Sequence, residues 1–126
     1  MNKKTSALSK ILRHPISANP NYGAARKVLN IYFRLCAMNK DLHQKFKLAK
    51  VESFFEVPLD GDVVDKIREL KRERGYVFEL PSSFTIRDLT IADNASFQSA
   101  ASQIAKDAGL HRYELDVLYW KKTSAY

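Results

Sequence analysis

The longest hydrophobic pattern in the chain lies in its first half and has the period of a helix. From Gly23 or Ala24 onward, apolar side chains recur on one helix face, at Val28, Ile31, Tyr32, Leu35 and Met38. Apolar residues at this spacing predict an amphipathic helix. Because Leu29 and Phe33 widen the apolar face, we expect this helix to be central and its apolar face to be buried.

Two further helices carry clear start and stop signals. Asp60 is a good N-cap, because its side chain can accept hydrogen bonds from free helix N–H groups, and Gly75 suits the position just past the helix end. The apolar face between them consists of Val63, Val64, Ile67 and Leu70. Asn94 is the expected N-cap of the next helix, and Gly109 follows its end. Its apolar face consists of Phe97, Ala101, Ile104, Ala105 and Ala108.

The remaining segments give weaker patterns. Val51 to Val57 is ambiguous between helix and extended chain, and Leu115 to Trp120 predicts a final buried helix, although its apolar residues also alternate as in a strand. Shorter helical segments are expected at residues 1–16 with an end at His14-Pro15, at 42–48 after a new N-cap near Asn39, and at 85–91. The pattern predicts an all-α fold with one domain over residues 1–126.

The charge is concentrated in the first part of the chain. Residues 1–50 carry eleven Lys or Arg and one acid, Asp41, whereas residues 51–126 carry a net charge of −3. Such an asymmetry, in a chain with a net charge of +7, favours a face that binds a polyanion such as double-stranded DNA. The alternative interpretation is a soluble protein with a basic end.

Composition excludes several classes of protein. No apolar run approaches the roughly 18–20 residues of a membrane span, and no apolar core follows the basic N-terminus as it would in a secretory signal. The single cysteine, Cys36, cannot form an internal disulfide. His14, His43 and His111 do not have the spacing of metal ligands. We therefore expect no metal, no cofactor and no membrane association, and a cytoplasmic location.

Lys27 and Asp60 are candidate catalytic residues. A lysine near a helix N-terminus, beside another cation such as Arg26, is pushed toward its neutral form, and a neutral amine can attack a carbonyl-like carbon to give a Schiff base. An aspartate held by helix N–H groups stays ionised and can stabilise the positive charge that develops as a glycosidic bond breaks. The alternatives are that Lys27 is a solvated helix lysine and that Asp60 is only a cap.

The turn before the first long helix is a candidate phosphate site, because the first N–H groups of a helix are free to bind an anion. The residues expected to bind nucleic acid are those of the turn and the helix start, with Arg34 further along the helix: Asn21, Tyr22, Gly23, Ala24, Ala25, Arg26 and Arg34. The alternative is an ordinary helix–turn–helix corner.

These stretches resemble the helix-hairpin-helix DNA glycosylases. Gly23 to Asn30 is similar to their hairpin and second helix, in which a Gly-x-Gly-x-Lys turn holds DNA phosphate, and Val57 to Val63 is similar to their Val-Asp-x-His-Val stretch. The spacing of the two stretches is closest to the archaeal 8-oxoguanine glycosylase branch. This sequence departs from the pattern at Tyr22, Ala25 and Asp62, which stand where the family has proline, glycine and histidine.

The resemblance implies a helix-hairpin-helix-like corner in a base-excision repair glycosylase and AP lyase, with Lys27 as the Schiff-base nucleophile and Asp60 as the essential aspartate. Family members carry a substantial helical region before the hairpin, so we expect this domain to lack the N-terminal part of a full glycosylase fold. The chain could be a fragment, a reduced protein, or a subunit of a homo-oligomer that completes its cleft in trans. Two other functions stay open, a non-catalytic nucleic-acid-binding helical protein and a protein–protein adaptor.

Overall fold

The computed structural model describes residues 2–12 and 20–119, and it confirms the predicted all-α class. The six α-helices of this part are α1 (Asn2–Ile11), α2 (Tyr22–Met38), α3 (Lys40–Lys45), α4 (Gly61–Arg74), α5 (Ile91–Asp107) and α6 (Leu115–Tyr119). Short 3-10 turns lie at Leu48–Lys50, Glu52–Phe54 and Arg112–Glu114. None of the helices in this part of the chain is long and apolar enough to cross a bilayer.

The hydrophobic core lies between α4, α5 and α6. Its fully buried side chains include Ile67 of α4, Phe97 and Ile104 of α5 and Leu115 of α6. Three alanines of α5 are also buried, at Ala100, Ala101 and Ala105. Because their side chains are small, neighbouring elements can pack close to α5. The segment before α4 enters the same core through Val57 and Leu59, which fixes the start of α4.

Three capping residues that the sequence predicted lie at helix ends in the structure. Asp60 is the N-cap of α4, with Oδ1 accepting from the Val63 N–H at 2.9 Å, and Gly75 ends the helix with φ of 67°. Asn39 ends α2 and caps α3, its Oδ1 accepting from the Leu42 N–H at 3.0 Å. In each case the deciding interaction lies within a few residues of the cap.

Three predicted helix boundaries or environments were wrong. Helix α5 begins three residues before Asn94, because Thr90 is its N-cap and accepts from the Asp93 N–H at 3.1 Å. Residues 86–88 form only an isolated turn. Helix α6 is not buried all round, since Val117 and Leu118 are exposed. The expected ends at His14-Pro15 and Trp120 lie outside the described residues.

The prediction that α2 buries its apolar face was also wrong. The exposed side chains of α2 include most of that face, at Val28, Tyr32, Leu35 and Met38. The opposite face is buried instead and consists of Gly23, Ala25, Arg26, Asn30 and Ala37. The small residues let α2 approach the rest of the fold closely, and the polar ones find buried partners, which removes most of the cost of burying them.

Candidate functional site

A cleft of about 330 Å³ opens between α2, the start of α4 and α6. Its lining residues are Lys27, Ile31, Arg34, Pro58, Asp60, Asp116 and Val117. Its volume is at the lower end of the range for small-ligand pockets. Both predicted catalytic residues, Lys27 and Asp60, therefore face one cleft although they lie thirty-three positions apart in the sequence.

Lys27 reaches the cleft from the second turn of α2. It shares a helix face with Ile31 and Arg34, which follow four and seven positions later. Its side chain is half-buried, and it forms no ion pair with any residue of 2–12 or 20–119. The amine is therefore available to a molecule that enters the cleft.

Asp60 is held at the cleft by backbone packing and by its own cap. The preceding Pro58 and Leu59 are buried, so the chain enters α4 along a fixed path. One carboxylate oxygen, Oδ1, accepts from the Val63 N–H. The carboxylate thus sits at the positive end of the α4 dipole, where a negative charge is stabilising.

An ion pair forms the far wall of the cleft. Arg34 of α2 binds Asp116 of α6, and the two side chains are only 18% and 8% exposed. The Arg34 Nε is buried and has no hydrogen-bond partner in the described part of the chain. Arg34 was predicted to bind nucleic acid, and its guanidinium is instead already paired within the fold. Asp116 was not among the predicted site residues, although an acid inside the apolar run 115–120 indicates a buried cationic partner.

The turn predicted to hold phosphate is packed into the protein. Asn21 is buried, and its side chain accepts from the Ala24 N–H at 3.0 Å while its carbonyl accepts from the Ala25 N–H at 3.1 Å. Tyr22 packs against the core cluster, and Ala25 is fully buried. The N–H groups of Ala24 and Ala25 therefore already have partners inside the fold. A phosphate at this turn would have to displace those partners.

Gly23 is buried for a steric reason that the sequence did not reveal. A Cβ atom built on Gly23 would lie 1.8 Å from the carbonyl oxygen of Ile86 and 3.1 Å from the Cβ of Leu89. Only a residue without a side chain fits such a close backbone approach. The glycine of the predicted hairpin is thus required by packing between α2 and the 86–89 segment.

Arg26 belongs to a buried polar network centred on Glu56. Its Nε donates to Glu56 Oε2 at 2.8 Å, and its Nη1 donates to Asn2 Oδ1 and Thr5 Oγ1 at 2.9 and 3.1 Å. Asn30 and Asn94 also donate to Glu56 Oε2, at 3.1 and 3.3 Å. The network joins α1, α2 and α5 to the segment before α4. It leaves no free guanidinium at Arg26 for DNA.

The protonation of Glu56 follows from this network. Burial raises the pKa of Glu56, but the hydrogen bonds and charge of Arg26, aided by Asn30 and Asn94, outweigh it and hold the pKa below its usual value. Glu56 therefore stays ionised at neutral pH. The sequence offered no signal for this pair, since the partners lie thirty positions apart.

Comparisons of the chain with protein-family models, with curated proteins and with solved structures find no match. Its function must therefore be argued from the cleft and its chemistry, because a fold alone does not specify an activity.

Proposed function

We propose that the protein is a base-excision repair DNA glycosylase and AP lyase that acts on damaged bases in DNA. One observation supports this proposal above all others, namely that Lys27 and Asp60 line the same cleft. An amine and a fixed carboxylate are the two groups that Schiff-base chemistry at a sugar carbon needs.

The two residues have different roles in the proposed reaction. As the bond between C1′ and the damaged base breaks, the base leaves with the bonding electrons and takes up a proton, and the Asp60 carboxylate stabilises the positive charge at the sugar. The Nζ of Lys27 attacks C1′ with its lone pair, so it must be unprotonated at this step. The new bond leaves an ammonium on Nζ, which loses one proton and so balances the proton that the departing base takes up. At an abasic site the same amine adds to the C1′ aldehyde, and the aldehyde oxygen leaves as water, which gives an imine.

The proposed contacts to DNA come from exposed lysines of the basic N-terminal half. The exposed lysines of this part are Lys3, Lys4, Lys10, Lys40, Lys45, Lys47 and Lys50. Such contacts release counterions, so binding should weaken steeply with salt. Arg26 and Arg34 are paired with acids and are not assigned to DNA. The homo-oligomer that would complete the cleft stays a prediction, which a mass measurement with and without DNA can test.

Borohydride trapping on duplex DNA with an abasic site tests the lysine. We expect wild type to give a covalent adduct and Lys27→Ala to give none, because borohydride reduces an imine to a stable secondary amine. Lys106→Ala is the control, since it removes one exposed positive charge outside the basic N-terminal half and should trap as well as wild type. Equal trapping by Lys27→Ala, or no adduct with wild type, would contradict the lyase role.

Release of damaged bases tests the carboxylate separately. Asp60→Asn removes the charge but keeps an N-cap of similar strength. We expect it to lower the rate of base release by about 10²–10³-fold, the usual effect of losing one electrostatic group in an active site, with stability retained.

A second candidate is a non-catalytic nucleic-acid-binding protein. It is favoured by the capping bond from the Val63 N–H to Asp60, which explains this aspartate without any chemistry. This candidate predicts that Asp60→Asn leaves DNA binding intact or strengthens it, because a negative charge is lost, and that no base is released.

A further inference from the structure

A second concave surface lies on α2 and is built largely from aromatic side chains. This groove of about 340 Å³ is lined by Tyr32, Phe33, Cys36, Leu42, Phe46, Leu48, Val51 and Phe55. Four of these eight residues are aromatic. Phe33 and Phe55 stack with ring centroids 5.2 Å apart. We call this surface the aromatic groove.

The aromatic groove is separate from the cleft that holds Lys27. Cys36 follows Lys27 by nine positions, which is two and a half turns of helix, so the two side chains leave α2 on opposite sides. The cleft takes Ile31 and Arg34 from α2, whereas the groove takes Tyr32, Phe33 and Cys36. A ligand of the groove therefore need not touch the cleft.

Several rings at this surface are in contact with water. Tyr32 is 60% exposed and Phe46 is 62% exposed, and Phe54, which adjoins the groove residue Phe55, is 74% exposed. Clustered exposed aromatic rings mark a binding surface, because they gain free energy when a partner covers them.

The edge of the groove is strongly basic. Residues 40–51 contain four exposed lysines and one acid, Asp41, and Lys45 and Lys47 flank Phe46 on either side. The next acid, Glu52, is occupied, because it accepts from the Tyr113 hydroxyl at 2.9 Å and contacts His43 at 3.1 Å. Because of these lysines, we expect the groove to favour anionic ligands.

Lys47 is also held in an unusual backbone conformation. With φ of 51° it is left-handed, and within residues 2–12 and 20–119 no other residue except glycine has a positive φ. A residue with a Cβ atom is strained there, and such strain concentrates at functional sites. A glycine at this position would be relaxed, so folding does not explain the lysine.

We propose that the aromatic groove binds single-stranded nucleic acid, with one base against the rings of the groove and the neighbouring phosphates on Lys45, Lys47 and Lys50. Flat aromatic walls suit the face of a base, and every base has such a face. A second copy of the chain is a poor occupant, because pairing of the same face would bring two sets of lysines together.

Fluorescence anisotropy with two oligomers separates base stacking from phosphate contacts. The first is an oligothymidylate of about 15 nucleotides, within the site sizes of known single-strand binders. The second has the same length but carries tetrahydrofuran in place of every nucleoside, so it has phosphates without bases. We expect Phe46→Ala to weaken binding of the oligothymidylate by roughly 5- to 150-fold and to leave the tetrahydrofuran oligomer unaffected. Val77→Ala is the control, since Val77 is 91% exposed elsewhere on the surface, and it should change neither affinity.

Lys47→Gly tests the strained lysine. We expect it to weaken binding of both oligomers and to reduce the slope of log affinity against log salt by about 0.7, the contribution of one phosphate contact in a single strand. Its thermal stability should equal or exceed that of wild type, because the left-handed backbone no longer carries a side chain. Weaker binding without a loss of stability would separate function from folding.

Cys36 locates the ligand, because it is the single cysteine of the chain and lines the groove. Oligothymidylate should slow its alkylation by iodoacetamide more than the tetrahydrofuran oligomer does. The proposal would be overturned if wild type bound the two oligomers with equal affinity and if Phe46→Ala changed neither affinity. So would protection of Cys36 by anionic vesicles or by an acidic amphipathic peptide without protection by oligothymidylate. Neither oligomer contains an aldehyde, so this result is independent of the Lys27 chemistry.

Discussion

Substitution of Gly23 by alanine separates two explanations for the same residue. The resemblance to a hairpin turn assigns Gly23 to a DNA phosphate, whereas the fold packs it against the Ile86 carbonyl. Within a helix, replacing glycine by alanine normally raises stability by roughly 0.5–1 kcal/mol, because the unfolded chain loses conformational freedom. At Gly23 we expect the opposite sign.

The magnitude follows from the distances. The added Cβ would lie 1.8 Å from a backbone oxygen, well inside the 3.4–4 Å of an ordinary contact. Because a carbonyl cannot rotate away like a side chain, α2 or the 86–89 segment must shift. Overpacking of this kind costs about 1–3 kcal/mol and occasionally more. We expect Gly23→Ala to lower the free energy of unfolding by about 2 kcal/mol or more.

Urea denaturation followed by far-ultraviolet circular dichroism measures this change. Gly61→Ala is the matched control, since Gly61 also lies in the first turn of a helix, α4. Apart from its chain neighbours and the backbone of its own helix turn, no atom lies within 4 Å of an added Cβ. It should be neutral or stabilising by up to about 1 kcal/mol. The m-value should stay the same in both variants, because the surface exposed on unfolding is unchanged.

The outcome that would refute the packing explanation is a Gly23→Ala protein that is as stable as Gly61→Ala. If that protein also lost DNA affinity, the phosphate-turn explanation would regain its basis. A destabilised protein whose remaining folded fraction binds DNA normally would assign Gly23 to the fold alone.

Two further predictions concern single carboxylates. Glu56→Ala should lower the free energy of unfolding by about 3–5 kcal/mol, because it leaves the buried Arg26 unpaired. The folded-state pKa of Glu56 lies below its ordinary value of 4.5. Its contribution to the free energy of unfolding is therefore fully present above about pH 4.5 and is lost as pH falls through the lower folded value. Denaturation of wild type and Glu56→Gln over that pH range should show that stability depends less on pH in the variant, and an equal dependence in both proteins would contradict this. Asp60→Ala should cost about 1 kcal/mol through loss of the α4 cap, whereas Asp60→Asn should cost little; a similar loss in both, measured by thermal denaturation, would show that the charge rather than the cap matters.

The parts of the fold that could be predicted are those decided by neighbours in sequence. Asp60, Gly75 and Asn39 act as caps through hydrogen bonds to residues within four or five positions. The apolar spacing of α4 also matched its buried face, because Val63, Val64, Ile67 and Leu70 are all buried. Short-range geometry is enough for such predictions.

The parts that failed depend on partners far along the chain. The buried face of α2 is set by Glu56, which pairs with Arg26, and by the Ile86 carbonyl, which approaches Gly23. Hydrophobic periodicity cannot detect an ion pair that makes a polar face suitable for burial. Asn94 was assigned to a cap for a related reason, since the amide that could cap a helix is used to bind Glu56 inside the fold.

The candidate site was predicted in part. The resemblance placed Lys27 and Asp60 together, and both line one cleft. Their catalytic roles stay predictions. The pairing of Arg34 with Asp116 and the packing of Gly23 against the Ile86 carbonyl were not foreseen, because Ile86 and Asp116 lie beyond the residues that the resemblance covers.

The hub at Glu56 has a consequence for how the molecule opens. Its carboxylate holds α2 and α5 directly and α1 through Arg26. Helix α2 cannot detach without separating Arg26 from Glu56, so opening of α2 should require almost the full free energy of global unfolding. At neutral pH, amide hydrogens of α2 should then exchange with solvent as slowly as those of α5, and mild acid should release the N-terminal helices first.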